Sequence, residues 1–211
     1  MVKNKLWRFG DSYSKTEDRD FGDIELNHSV YISEHFNMEL VHLGDGGMSN
    51  LEIFQRILSN NQNYREGDMI LINFADTSRT ALVENHKIIS TANGDNMSSY
   101  SKNLENIIIN DLQYSISDII FYLVKPFLES LIDNGIKVYH FYNGYEIYPG
   151  KIKNELTFLR DTEPIGYQNW IFEKGWEDLT PTGNLHYVVG KQRDISEIII
   201  NKIEEIDSNE K

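Results

Sequence analysis

Apolar positions alternate between short unbroken runs and stretches spaced by three and four. The runs Lys5 to Phe9 (KLWRF), Glu39 to Leu43 (ELVHL), Asp68 to Phe74 (DMILINF) and Ile136 to Tyr142 (IKVYHFY) predict strands. The third is apolar nearly throughout, as a strand covered on both faces should be. Between the second and third runs, Leu51, Phe54, Ile57 and Leu58 recur at helical spacing. Ser49 and Glu52 precede and open that stripe with the spacing of a capping box. Ile116, Ile119, Ile120, Leu123, Phe127 and Leu131 predict a longer helix that stops at Asn134-Gly135 and is kinked or divided at Pro126. A last helix is predicted from about Tyr187 to Ile206, with Ile195, Ile198, Ile199, Ile203 and Ile206 on one face.

Strands alternating with helices imply βαβ units. The predicted class is α/β, a three-layer α/β/α sandwich around a mostly parallel central sheet. There is no internal repeat and no low-complexity linker, and 211 residues suit one domain over 1–211. A polar stretch from about Thr80 to Ser101 reads as an insertion or lid. In such sheets ligands bind beyond the carboxyl ends of the strands. Three unusual loops leave there: Gly10-Asp11-Ser12, Gly44 to Gly47, and Ala75 to Arg79.

Charge narrows the partners. The formal net charge is -13, from 33 acidic and 20 basic residues, with no Lys/Arg cluster. Nucleic acid and anionic membrane both require a basic surface, so neither is expected as the main partner. No run approaches the roughly 20 apolar residues that span a bilayer, and the N-terminus has no signal-peptide-like apolar stretch. A cytoplasmic or virion-associated location is the expectation. The chain has no cysteine, so disulfides and thiolate metal sites are excluded.

The loop residues carry a resemblance. FGDSYS at residues 9–14, LGDGGMSN at 43–50 and GNLHYVVGKQRDISEII at 183–199 occur in the order of the conserved blocks of the SGNH hydrolases, the GDSL-type esterases and lipases. The chain resembles that family, and the last block is similar to that of phage-encoded members. The resemblance implies an SGNH-hydrolase-like, flavodoxin-like layout and a serine acyl hydrolase, an esterase or carbohydrate deacetylase. It implies Ser12 as nucleophile and His186 as general base. The backbone N–H groups of Ser12 and Gly47 would be oxyanion donors. The chemistry is coherent: a serine hydroxyl needs a base within reach, and the developing oxyanion needs donors already aimed at it. The substrate would be an ester-bearing small molecule or glycan. No cofactor and no metal are implied.

Two departures from the family pattern bear on activity. The family's Gly-x-Asn-Asp after the third strand is replaced here by Phe74-Ala75-Asp76-Thr77-Ser78-Arg79. Asn73 falls too early, inside the strand, so Thr77 is the nearest oxyanion donor, with Ser78 a second choice. Arg79 could compensate from the substrate side. The family's Asp shortly before the histidine is replaced by Gly183 and Asn184. Asn184 and Asp178 both remain candidates for orienting His186. These departures motivate an alternative, a weak or inactive SGNH-like binding or structural module with virion or homo-oligomer contacts. A nucleotide-binding flavodoxin-like protein shares the alternating pattern but lacks a Gly-rich phosphate fingerprint.

Remaining features have plainer readings. Tyr142, Tyr145, Tyr148, Tyr167, Trp170, Phe172 and Trp176 divide between core packing and a cleft or interface, with Trp176 the candidate for substrate contact. His28, His35, His42, His86 and His140 lack metal-ligand spacing and are expected to be structural. Asp11, Asp45 and Asp76 are expected to cap and turn rather than to bind a cation.

Overall fold

The computed structural model describes residues 3–10, 17–18, 25–45, 48–75, 81–84, 87–90, 124–144, 152–179, 185–187 and 190–209. Its centre is a four-stranded sheet built from β1 (Lys5–Phe9), β4 (Glu39–His42), β5 (Met69–Phe74) and β8 (Lys137–Tyr142). All three pairings are parallel, and the order across the sheet is β4-β1-β5-β8. Chain order therefore reverses between β1 and β5, which makes their carboxyl ends the switch point where ligands bind in sheets of this kind.

The sheet is buried on both faces because each strand alternates apolar side chains between two cores. Leu6, Met69, Leu71, Tyr139 and Phe141 face one core with Ile32, Ile195, Ile199 and Ile203. Trp7, Phe9, Ile70, Ile72, Phe74 and Val138 face the other with Ile53, Phe54, Ile57, Leu128 and Leu131. Helices α1 (His28–His35) and α5 (Gln192–Asn209) thus cover one face. Helices α2 (Asn50–Ser59) and α3 (residues 124–133) cover the other. This is the three-layer α/β/α sandwich that the alternation of elements predicts.

Local signals account for several boundaries. Ser49 accepts from the backbone N–H of Glu52, while the Glu52 carboxylate accepts from the Ser49 N–H at 2.8 Å. The capping box is therefore formed. Helix α2 buries Ile53, Phe54 and Ile57, and Leu58 is 43% exposed. The expected stripe rotates because Leu58 lies a further 100° round the helix from Ile57. Helix α3 ends at Asn134-Gly135, where the Ile136 N–H reaches back to the Leu131 carbonyl. The predicted segment 116–123 lies outside the described residues.

Other elements depart from the periodic reading. Helix α1 buries His28, Ser29, Ile32 and Ser33, so its inward face is mostly polar and leaves no hydropathy stripe. The predicted start of the last helix at Tyr187 is corrected: α5 begins at Gln192. Leu185–Tyr187 instead forms β12, antiparallel to β11 (Glu177–Leu179). Tyr187 cannot serve a ladder and a helix with the same backbone groups, and the ladder takes it. Strands β9 (Phe158–Arg160) and β10 (Glu163–Ile165) make a further hairpin leading into α4 (Tyr167–Glu173). Within the polar stretch after Thr80, β6 (Ala81–Glu84) and β7 (Lys87–Ser90) pair as an antiparallel hairpin. Two-residue strands β2 (Glu17–Asp18) and β3 (Glu25–Leu26) pair between β1 and α1.

Candidate active site

The carboxyl rim of the sheet is stitched together by hydrogen bonds between consecutive exits. β1 leaves the sheet at Gly10 with φ 152°, a region essentially restricted to glycine. The Gly10 carbonyl accepts from the Asp45 N–H at 3.0 Å, which joins the β1 exit to the β4 exit. Arg56 on α2 donates from Nη1 to the Leu43 carbonyl at 2.8 Å and bears on Asp45 at 3.9 Å. At the β5 exit the Phe74 carbonyl accepts from the Asn143 N–H at 2.9 Å, joining it to the β8 exit. The Asn143 carbonyl in turn accepts from the Gln168 N–H on α4 at 3.1 Å.

Beneath the β1 exit lies a buried polar cluster. Arg8 is fully buried. Its Nη1 donates to the Phe9 carbonyl at 2.6 Å and the Leu71 carbonyl at 3.2 Å, and its Nε donates to Ser29 Oγ at 3.1 Å. The guanidinium lies over the Phe141 ring at 5.4 Å. These contacts hold the last peptide of β1, just before Gly10. Gln192 Oε1 accepts from the His28 backbone N–H at 2.9 Å and stands 3.0 Å from His28 Nδ1. An amide oxygen only accepts, so Nδ1 carries the ring proton and Nε2 presents its lone pair toward Arg8 Nη2 at 3.5 Å. Burial, and then the charge of Arg8, lower the His28 pKa to about 3. The network joins the strand before Ser12 to the helix after His186.

Searches among family models and among curated proteins find no match. Solved structures do. The chain is similar to two bacterial proteins described as lipolytic or as an esterase. One is a G-D-S-L family lipolytic protein from Desulfitobacterium hafniense DCB-2, 13% identical, with TM-score 0.44, covering 94% of this chain and 99% of that one. The other is a catalytic mutant of an acetylxylan esterase from Geobacillus stearothermophilus, 11% identical, with TM-score 0.43, covering 96% of this chain and 95% of that one.

Of the residues singled out from sequence, Asp178 and His186 are register partners in the β11–β12 ladder. Ser12, Gly47, Thr77, Ser78, Arg79 and Asn184 lie outside the described residues. Trp176 packs edge-to-face on Trp170 at 5.6 Å, with the Lys191 ammonium 5.5 Å over its ring. Tyr167 and Trp170 belong to the core, while Phe172 is 60% exposed. Tyr142 lines a small cleft with Glu155, Thr157, Phe158 and Pro164. Asn73 is fully buried within β5. His140 is buried too, donates from Nε2 to the Lys153 carbonyl at 3.2 Å, and has its pKa lowered to about 4 by burial. His35 pairs with Glu204 on the surface at 2.9 Å. Asp45 serves the rim contacts above, and Asp11, Asp76, His86, Tyr145 and Tyr148 fall outside the described residues.

Sequence reasoning missed Arg8, His28 and Gln192 as a joint unit, and Asn50 at the rim. No short-range signal marks them. Arg8 is a cation within an otherwise apolar stretch of β1, and its partners Ser29, His28 and Leu71 come from segments 20 or more residues away.

Proposed function

We propose that the chain is a serine ester hydrolase with its reaction centre at the rim between β1 and β5. Ser12 Oγ attacks the ester carbonyl while His186 takes its proton. The tetrahedral oxyanion is held by the N–H groups of Ser12 and Gly47, with Thr77 as a third donor. Collapse expels the alcohol, which receives the proton from His186. Water activated by the same imidazole then cleaves the acyl-serine and restores the enzyme. Asp178 orients the imidazole in preference to Asn184. Arg79 and the open part of Trp176 contact substrate.

One observation carries this reading: the reversal of strand order between β1 and β5. It makes the exit of β1, two residues before Ser12, part of the crevice where α/β sheets bind ligands. The backbone register of Asp178 with His186 in the β11–β12 ladder supports the choice of acid. An alkyl fluorophosphonate tests it. Covalent labelling at Ser12, together with loss of short-chain aryl ester hydrolysis in a folded Ser12→Ala variant, is the expected result. A Ser12→Ala variant that hydrolyses at the parent rate overturns it.

A second reading, a module that binds without turnover, is favoured by Asn73. The asparagine nearest the third loop is buried in the strand rather than standing in that loop. Loss of one oxyanion donor typically costs 10²–10³-fold in rate. Folded protein that takes no fluorophosphonate label would establish this reading in place of the first.

A further inference from the structure

Asn50, the first residue of α2, makes an unusual contact across the rim. Its Oδ1 accepts from the Ala75 N–H at 2.7 Å, and its Nδ2 donates to the Ala75 carbonyl at 3.1 Å. One side-chain amide therefore satisfies both backbone groups of a single residue, as a neighbouring strand would. Ala75 is 2% exposed, so solvent is poorly placed to replace either bond. The β5 ladder is thereby prolonged by one residue past Phe74, whose own carbonyl is held from the other side by Asn143. The same helix holds the β4 exit through Arg56 and Leu43. Its capping box fixes the backbone of Ser49, the residue before Asn50.

We infer that Asn50 is a positioning residue that locks the loop after β4 to the loop after β5, and so sets the spacing of the oxyanion donors each supplies. This rests on the hydrolase reading above. Chain connectivity carries the effect: Gly47 precedes Asn50 by three residues and Thr77 follows Ala75 by two. At no more than about 3.6 Å per residue, the joint bounds the reach of these donors to about 11 Å and about 7 Å. Asn50 does not touch the reacting atoms in this account. Displacements near 1 Å at an oxyanion site can cost about 100-fold, so a joint of this kind acts on turnover more than on substrate capture.

The test compares three variants of the full chain. Asn50→Leu removes both bonds with little change of volume. Asn50→Asp keeps the acceptor for the Ala75 N–H and loses the donor. Ser49→Ala loosens the same helix end and leaves the Asn50–Ala75 pair intact. kcat and KM for a short-chain aryl ester, the rate of fluorophosphonate labelling and the melting temperature are read for each. Asn50→Leu is expected to lose tenfold or more in kcat with KM within twofold, Asn50→Asp to lose less, and Ser49→Ala to keep kcat within twofold despite a lower melting temperature. If Asn50→Leu does not fold, Asn50→Asp decides, with a threefold or larger loss of kcat expected. The inference is overturned if Asn50 variants keep the parent kcat, or if Ser49→Ala loses as much kcat for the same drop in melting temperature. A parent protein that neither hydrolyses nor labels overturns the hydrolase reading instead, and the positioning role falls with it.

Discussion

Asp178 and His186 stand opposite each other in the antiparallel ladder of β11 and β12, eight residues apart along the chain. In the hydrolase reading proposed above, this backbone register favours Asp178 over Asn184 as the orienting group. A carboxylate beside an imidazole both fixes its tautomer and stabilises the imidazolium, whereas an amide does only the first.

Asp178→Asn is therefore expected to lower kcat for aryl ester hydrolysis by about 10²–10⁴-fold with KM little changed. Asn184→Ala is expected to stay within about threefold of the parent, below the scale of one lost transition-state contact. Steady-state kinetics on both variants check this, and a larger loss in Asn184→Ala than in Asp178→Asn would reverse the assignment.

His28 and His140 make folding acid-sensitive. Their folded pKa values, about 3 and about 4, lie below the unfolded value near 6.5, so the unfolded chain binds more protons between those limits. Their contribution is intact above about pH 6.5 and is lost as pH falls toward 4 and then 3. Each group can contribute a slope of about 1.4 kcal/mol per pH unit within its window. Imidazole proton resonances of both residues should keep neutral-ring shifts down to pH 5 in native protein. Titration of either ring near pH 6.5 would sink the prediction.

Gln192 supplies the acceptor that both the His28 backbone N–H and the His28 ring use. Gln192→Leu preserves approximate volume and strands two buried donors. It should destabilise by about 1–3 kcal/mol or more, because an unmade buried hydrogen bond costs its full desolvation penalty. The urea midpoint of the variant measures this, and an unchanged midpoint would count against the network.

Gly166 precedes α4 where the loop after β8 presses close. A Cβ built there would meet the Asn143 carbonyl oxygen and both carbonyl atoms of Gly144 at 2.5 Å. These are backbone atoms, so no rotamer change relieves the clash. Gly166→Ala should lose about 1–3 kcal/mol, the usual cost of overpacking, in thermal or chemical denaturation. Parent-like stability would show that this loop gives way freely.

The central strands and the capping box were legible because their causes are local. DMILINF is apolar nearly throughout and becomes the strand Met69–Phe74, buried on both faces. Ser49 and Glu52 are three residues apart and satisfy each other. Helix α1 was not legible, since its inward residues His28, Ser29 and Ser33 are polar and find their partners only in the folded chain. The same holds for the start of α5, where Tyr187 goes to a ladder that needs Glu177 opposite.

From the sequence alone come the α/β class, all four central strands and the blocks that nominate Ser12 and His186, because runs, periods and caps act over a few residues. Tertiary structure alone decided the strand order, the pairing of Asp178 with His186, the clasp of Asn50 on Ala75 and the burial of Arg8 among distant partners. Those contacts join groups as far apart as His28 and Gln192, 164 residues along the chain. A hydrogen bond between distant segments depends on where the backbone has carried them, and no short window of residues encodes that.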